Sequence, residues 1–116
     1  MVIRKYVPEQ GDLVWFDFSP YRGHEQGGRR PAVVLSPKAY NAKTGLALMC
    51  PITSKRKGFS TEIDLPVDCL IGGVILADQL RSQDWQDRHT DFIGVVDAGT
   101  FEAVTEILRT LVRFDR

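Results

Sequence analysis

The residues best suited to chemistry lie in one short stretch of the chain, residues 24–31. It combines a histidine, His24, with a carboxylate, Glu25, a pair of glycines and the arginines Arg29 and Arg30. A guanidinium is planar and permanently charged, and it can hold phosphate oxygens through two parallel hydrogen bonds. The stretch therefore predicts a phosphate-binding loop. The alternative is a solvated hairpin loop that carries ordinary surface arginines.

A second stretch combines hydroxyl groups with cations. The apolar residues 46–52 are followed by Thr53, Ser54, Lys55, Arg56, Lys57 and Gly58. A threonine at the end of a strand has a restricted rotamer and a hydroxyl that can donate to a phosphate oxygen. The neighbouring cations suit a polyanion backbone. The alternative for them is a solvated turn that keeps a sheet edge from pairing.

Polar and aromatic residues inside apolar segments mark two further candidates. Residues 74–80 are apolar except for Asp78 and Gln79. An acid in such a strand is either paired with a partner or part of a site, and the sequence leaves both interpretations open. Trp15 and Phe18, in the first apolar segment, are either core residues or platforms for base stacking.

These residue types are compatible with the cleavage of RNA. RNA carries its own nucleophile, the 2′-hydroxyl, so the reaction needs only a base, charge stabilisation at the phosphate and an acid at the leaving oxygen. Arginine supplies the charge but transfers protons poorly, because its pKa exceeds ~12. The sequence has no metal-ligand cluster and no nucleotide-binding motif, so we expect neither a metal nor a cofactor.

The bulk properties describe an ordinary globular chain of one domain, residues 1–116. Lys plus Arg and Asp plus Glu both number 15, so RNA binding would need a local basic patch. Cys50 and Cys69 lie in apolar surroundings and predict free, buried thiols. No apolar run approaches the ~20 residues of a membrane span, and the first residues lack the apolar core of a signal peptide. We therefore expect a cytoplasmic protein without membrane contact.

The elements that position these residues are mostly strands. The pattern predicts strands over residues 11–18, 32–35, 46–52, 61–65, 74–80 and 92–96. Ser36, as N-cap, and Pro37 predict a helix of one or two turns that Gly45 ends, and residues 82–85 are predicted to be a turn. Asp97 is the predicted N-cap of a C-terminal helix with an apolar stripe. The fold class is α+β, a small bent antiparallel sheet with a short helix and one amphipathic C-terminal helix.

Four segments occur in order along nearly the whole chain: Gly11-Asp12-Leu13-Val14-Trp15, Gly23-His24-Glu25-Gln26 with Arg30-Pro31, Cys50-Pro51-Ile52-Thr53-Ser54 and Ala77-Asp78-Gln79. Together they resemble the MazF/PemK (Kid) toxins of type II toxin–antitoxin systems. The resemblance implies an SH3-like antiparallel β-barrel that acts as a homodimer. It also implies an mRNA interferase, a metal-independent, sequence-specific endoribonuclease that cuts single-stranded RNA to 2′,3′-cyclic phosphate and 5′-hydroxyl ends. The implied partner is a MazE-like antitoxin, whose acidic tail occupies the RNA groove.

The resemblance also implies roles for individual residues. Arg30 and Thr53 are the core catalytic pair, Glu25 matches the family's loop glutamate, and His24 is a helper. Kid-like members use a histidine, an arginine and an aspartate, but Leu76 stands where that arginine is expected, which favours Arg30 with Thr53. We expect RNA to be bound by the loops after the first strand and after Thr53 and by residues beside them: Trp15, Phe18, Gln26, Arg29, Ser54, Lys55, Lys57, Asp78 and Gln79.

Two other functions are weighed against the ribonuclease. One is a non-enzymatic toxin of the CcdB type, which binds DNA gyrase through C-terminal residues that end in aromatic–glycine–isoleucine. This chain ends in Arg113-Phe114-Asp115-Arg116 instead. The other is an RNA-binding module without catalysis, which requires Arg30 and Thr53 to lie far apart.

Overall fold

The computed structural model describes residues 6–18, 23 and 27–112, which form an antiparallel sheet with two α-helices. The strands are β1 (Asp12–Asp17), β2 (Arg29–Val34), β3 (Leu46–Thr53), β4 (Glu62–Asp64), β5 (Val74–Leu76), β6 (Arg81–Asp84) and β7 (Asp91–Val95), and the helices are α1 (Lys38–Thr44) and α2 (Ala98–Leu111). The strand order is β4-β5-β3-β2-β1-β7, and β6 also pairs with β3. The predicted α+β class is confirmed. Within the described residues no ladder joins β4 to β7, so closure into an SH3-like barrel stays a prediction.

Strand β1 places buried apolar side chains on both faces of the sheet, because successive side chains of a pleated strand point to opposite faces. Leu13 belongs to one core, which α2 covers. Val14 and Phe16 point to the opposite face and belong to a second core, together with Trp85. Apolar contacts on both faces therefore hold β1 in place.

Helix α1 forms a polar anchor beside β3. It ends at Gly45, whose left-handed φ of 74° is typical of a helix C-cap. The predicted N-cap was wrong by one residue, because Pro37 occupies that position. The hydroxyl of Ser36 instead donates to Oδ1 of the buried Asn41 at 2.6 Å, and it accepts from the backbone N–H of Leu48 at 2.9 Å.

Helix α2 begins as predicted. The carboxylate of Asp97 accepts hydrogen bonds from the hydroxyl of Thr100 at 2.6 Å and from its backbone N–H at 3.0 Å. Both hydrogen bonds hold the pKa of Asp97 below its usual value, and the bond from the hydroxyl has the larger effect. Val104 is fully buried against the sheet, whereas Leu111 and Val112, at the end of the predicted stripe, are exposed. Among the described helices, none is long and apolar enough to cross a membrane.

Strand β3 changes partner along its length. Its first half pairs with β6, its last two residues pair with β5, and β2 lies along its other side. The chain from β5 to β6 is three residues longer than the stretch of β3 that pairs with it. Ala77–Gln79 form a single 3-10 turn in this segment. The predicted continuous strand over 74–80 is therefore wrong, and so is the predicted turn at 82–85, which lies largely in β6. The turn leaves Asp78 exposed outside the sheet.

Candidate functional site

Arg30 lies near the start of β2 and Thr53 lies at the end of the neighbouring strand β3, so both are at the same end of this strand pair. The last recorded pair of the β2–β3 ladder is Ala32 with Pro51, and the same register continued by two residues sets Arg30 opposite Thr53. Both residues line an open cleft of about 350 Å³, which we call the Arg30 cleft. Its other lining residues are Trp15, Arg29, Pro31, Ile52, Ser54, Ile71 and Gly72. The structure thus brings the predicted pair together, while its catalytic role stays a prediction.

Arg30 is anchored at the start of β2. Its Nε donates to the backbone carbonyl of Gly27 at 2.8 Å, and the side chain is half-buried. Gly28 has a φ of 78°, a left-handed conformation that favours glycine, and its carbonyl accepts from the N–H of Phe18 at 2.9 Å. The turn is therefore tied to the end of β1. A guanidinium fixed through Nε keeps its plane oriented, which favours a directed contact with an anion.

Thr53 is only 5 % exposed, yet it is one of the residues that line the cleft. Its Oγ1 accepts a hydrogen bond from the backbone N–H of Lys55 at 3.2 Å. A hydroxyl that accepts one bond in this way still has its own proton to donate. The geometry therefore suits donation from Thr53 to an oxygen held beside Arg30.

A second cleft, of about 470 Å³, also has Thr53 in its lining. We call it the Asp78 cleft, and Thr53 is common to both linings. Its other lining residues are Lys55, Lys57, Phe59, Thr61, Glu62, Leu76, Asp78 and Gln79. The Arg30 cleft thus contains two arginines, whereas the Asp78 cleft contains two carboxylates, an amide and two lysines.

The predicted RNA-binding residues divide between these clefts. Trp15, which is 40 % exposed, lies in the Arg30 cleft with Arg29 and Ser54. Lys55, Lys57, Asp78 and Gln79 lie in the Asp78 cleft. The predictions for His24, Glu25 and Gln26 lie outside the described residues.

Phe18 must be removed from the predicted set of RNA-binding residues. It is fully buried, with its ring edge-on to Phe16 at a centroid distance of 5.0 Å. The guanidinium carbon of Arg81 lies 5.2 Å from the ring centroid. A ring covered in this way cannot stack on a base. Phe18 is therefore a core residue, which was the other interpretation of the sequence.

Arg29 forms hydrogen bonds with residues in and just before β7. Its Nη1 donates to the carbonyl of His89 at 2.8 Å, and its Nη2 forms an ion pair with Asp91 at 2.6 Å. The Arg29 and Asp91 side chains are both well exposed. The carboxylate therefore competes with any phosphate that enters the Arg30 cleft.

The cysteines differ in their surroundings. Burial, together with the nearby charge of Asp78, raises the pKa of Cys50 to about 12, and its thiol points to the carbonyl of Ala77 at 3.8 Å. Such a thiol is a poor nucleophile at neutral pH. Cys69 is only half-buried, so the predicted burial is confirmed for Cys50 alone. Across residues 6–18, 23 and 27–112, no group of three or more His, Cys, Asp or Glu residues is arranged to hold a metal ion.

The sequence analysis missed a close backbone contact of Thr53 and one lining residue of the Asp78 cleft. Gly73 has a φ of 119°, and a Cβ there would lie 2.4 Å from the carbonyl oxygen of Thr53. The pair Gly72-Gly73 ahead of an apolar strand was the available signal for this close approach. Phe59 was missed in the Asp78 cleft, where the signal was an aromatic residue directly after the cationic loop.

Comparison with known families shows which family this chain belongs to. Residues 9–112 match the model of the PemK-like, MazF-like toxins of type II toxin–antitoxin systems. The chain belongs to this family. This PemK/MazF-like chain is 41 % identical to the endoribonuclease toxin MazF of Escherichia coli K12, across 96 % of this chain and 99 % of that relative. It is 39 % identical to the endoribonuclease toxin ChpB of the same strain, across 81 % and 84 % of the two chains.

Solved structures agree with this relationship. A crystal structure of MazF from Deinococcus radiodurans superposes on the PemK/MazF-like chain with a TM-score of 0.89 and 48 % identity, covering 92 % of this chain and 97 % of that one. MazF from a MazE–MazF complex of the same organism gives a TM-score of 0.86 and 47 % identity, covering 96 % of this chain and all of that one.

Proposed function

We propose that this PemK/MazF-like chain is a metal-independent endoribonuclease that cuts single-stranded RNA at specific sequences, as an mRNA interferase does. The observation that carries the proposal is the shared cleft of Arg30 and Thr53, because both residues line one open space. The names of its relatives, endoribonuclease toxins MazF and ChpB, support the same activity.

The proposed reaction is an attack by the 2′-hydroxyl of RNA on the adjacent phosphorus. A new 2′-oxygen–phosphorus bond forms, the bond from phosphorus to the 5′-oxygen breaks, and a 2′,3′-cyclic phosphate and a 5′-hydroxyl result. The 2′-hydroxyl gives its proton to a base, and the leaving 5′-oxygen takes one from an acid. Arg30 and Thr53 donate hydrogen bonds to the phosphate oxygens as negative charge grows on them. We assign His24 and Glu25 to the proton transfers on their sequence positions.

The surrounding residues support RNA as the substrate. Trp15 exposes an indole in the Arg30 cleft, and stacking on aromatic rings is the usual way to hold unpaired bases. Lys55 and Lys57 add positive charge beyond Thr53. We therefore propose that the RNA backbone crosses the end of β3, with its bases on both sides of Thr53.

We also propose a MazE-like antitoxin partner and a homodimer. The MazE–MazF complexes of Deinococcus radiodurans support the first, because their toxin chain is similar to this one. An acidic antitoxin segment that occupies the Arg30 cleft would mimic RNA phosphates, so its binding should weaken steeply as salt is raised. For the homodimer, sedimentation should give twice the mass of one chain at micromolar concentration, and a monomer alone would contradict it.

The activity is tested with a long single-stranded RNA in EDTA. We expect the wild-type protein to make discrete cuts whose mapped 5′ ends reveal its target sequence. Arg30→Ala should lower the rate by ~10²–10³-fold, as the loss of a charge-stabilising donor typically does. Arg109→Ala is the matched control, because Arg109 lies on α2 and pairs only weakly with Glu106, at 3.8 Å. Cleavage by Arg30→Ala at the wild-type rate would refute the assigned site.

A further inference from the structure

Arg81 lies beside the end of β1, although the two are far apart in sequence. It is the first residue of β6, where its backbone pairs with that of the fully buried Met49 in β3. Its half-buried side chain extends to Phe18, with the guanidinium carbon 5.2 Å from the ring centroid. In the part of the chain that the structure describes, Arg81 is not among the residues that line either cleft beside Thr53. Any effect on a reaction there would therefore be indirect, through the residues that Arg81 contacts.

The contact between Arg81 and Phe18 joins a cation to a buried aromatic ring. The face of such a ring attracts cations, and the attraction is stronger where water is excluded. Phe18 is fully buried, and the ring of Phe16 holds it edge-on at a centroid distance of 5.0 Å. A guanidinium can stack its plane on a ring, whereas a lysine ammonium is a compact and strongly hydrated charge. The contact therefore favours arginine at position 81.

Phe18 is connected in turn to the residues that hold Arg30. Its N–H donates to the carbonyl of Gly28 at 2.9 Å. The carbonyl of the preceding residue, Gly27, accepts from Nε of Arg30 at 2.8 Å. Phe16, whose ring contacts that of Phe18, lies opposite Arg30 in the β1–β2 ladder. Two short routes therefore join Phe18 to Arg30, one through hydrogen bonds and one through strand pairing.

We propose that Arg81 is a positioning residue for RNA cleavage, which holds Phe18 and thereby keeps the guanidinium of Arg30 oriented in its cleft. This inference rests on the proposed ribonuclease function. Arg30 must meet the phosphate in one orientation as negative charge grows on it, and a misplacement of about 1 Å can slow a reaction by ~10²-fold. Loss of Arg81 therefore lowers kcat more than it raises KM, because the contact that suffers strengthens in the transition state.

The first test observes Arg30 by NMR, without RNA. With nitrogen-15 at the arginine Nε positions, the Nε–H signal of Arg30 is assigned by its loss in Arg30→Lys. Its hydrogen bond to Gly27 slows exchange of this proton with water. In Arg81→Met, which keeps the length of the side chain without its charge, exchange should become about 2- to 30-fold faster, as the loss of one cation–π contact predicts. Arg109→Met, on α2, is the matched control and should leave the exchange rate unchanged.

The second test measures cleavage kinetics in EDTA on an RNA with one cut site. Arg81→Met should lower kcat by about 10- to 100-fold with little change in KM, and Arg81→Lys should recover part of the loss. In the Arg30→Ala background, Arg81→Met should have no further effect, because residues that act through one group are not additive. A full additional loss in that background would refute action through Arg30, and so would a higher KM at unchanged kcat.

The two tests separate this inference from the function beneath it. Urea unfolding identifies conditions in which every variant is folded, and Arg81→Lys, which keeps the charge, replaces Arg81→Met if that variant is too unstable. If the wild-type protein cuts RNA and the Arg81 variants match it in both kcat and exchange, the positioning role is refuted and the ribonuclease stands. If the wild-type protein cuts no RNA, the proposed function fails and the role in cleavage fails with it, while faster exchange would still show that Arg81 holds Arg30.

Discussion

Gly73 lies against the carbonyl of Thr53 so closely that a Cβ at position 73 would come 2.4 Å from that oxygen. Real Cβ atoms essentially never approach backbone to this distance. The contact joins the start of β5 to the end of β3, where Thr53 pairs with Val74. The position of Thr53, and with it that of its hydroxyl, therefore depends on the absence of a side chain at Gly73.

Gly73→Ala should impair both stability and cleavage. The new methyl group must displace the end of β3, and its backbone must keep a φ of 119° that alanine rarely adopts. We expect the free energy of unfolding to fall by about 1–3 kcal/mol and RNA cleavage to slow. Urea unfolding and the EDTA cleavage assay measure the two effects. Gly72→Ala is the control for unfolding, because a Cβ at Gly72 meets nothing within 4 Å.

Replacing Asn41 should destabilise the protein. Its Nδ2 donates to the carbonyls of Pro8 at 2.8 Å and Ser36 at 3.0 Å, and its Oδ1 accepts from the Ser36 hydroxyl. Asn41→Ala leaves these buried groups without their partner, at a cost of about 2–4 kcal/mol in the free energy of unfolding. Lys43→Ala, at an exposed position of the same helix, should change it by less than about 0.5 kcal/mol. Equal losses in both variants would contradict the role of Asn41.

Cys50 should make the protein less stable at alkaline pH. Its pKa rises from an ordinary value of 9.0 to about 12, first through burial and then through the charge of Asp78. The folded protein therefore keeps a proton that the unfolded chain releases above about pH 9. Its contribution is complete below the unfolded pKa and is lost as the pH rises toward 12, at roughly 1.4 kcal/mol per pH unit.

The measurement compares urea unfolding of the wild-type protein and Cys50→Ala between pH 8 and 10.5. The difference between their unfolding free energies should shrink as the pH rises, because only the wild-type protein carries the thiol. RNA cleavage at neutral pH should survive in Cys50→Ala, since a buried neutral thiol takes no part in the proposed reaction. A constant difference across this range would show that the thiol does not titrate as described.

Removing Asp91 should strengthen RNA binding. Its carboxylate holds Arg29 at 2.6 Å and competes with phosphate for the guanidinium. In Asp91→Ala we expect the Kd for non-cleavable RNA to tighten a few-fold at low salt, and the gain to shrink at high salt through screening. The free energy of unfolding should change by less than about 1 kcal/mol, because the pair is exposed. Glu106→Ala, which removes the partner of Arg109 on α2, should leave the Kd unchanged.

Local patterns predicted much of this fold. The apolar, aromatic segment of β1, the N-cap Asp97 and the C-cap Gly45 each depend on the preferences of the residues themselves, so the sequence reveals them. The break after β5 was missed because it depends on the register between strands distant in sequence. Residues 74–80 have the sequence pattern of one strand, and only the pairing with β3 shows that Asp78 lies outside the sheet.

The candidate site was also predictable only in part. Arg30 and Thr53 stand out by residue type and by position at strand ends, and the structure places them on one cleft. Phe18 was misassigned as an RNA contact because an aromatic residue at a strand end looks the same whether its ring is covered or open. Phe59 and Gly73 were missed because their importance comes from neighbours brought close only by folding.

The separation of the two clefts at Thr53 has an evolutionary consequence. The loop before β4 is held by Glu62 and by its own backbone rather than by Arg30, so it can accumulate substitutions while the reacting groups stay fixed. Under the proposed function, substitutions in this loop alter which RNA sequences are bound without altering Arg30 or Thr53. Related chains can then diverge in target sequence while they keep the same reacting groups.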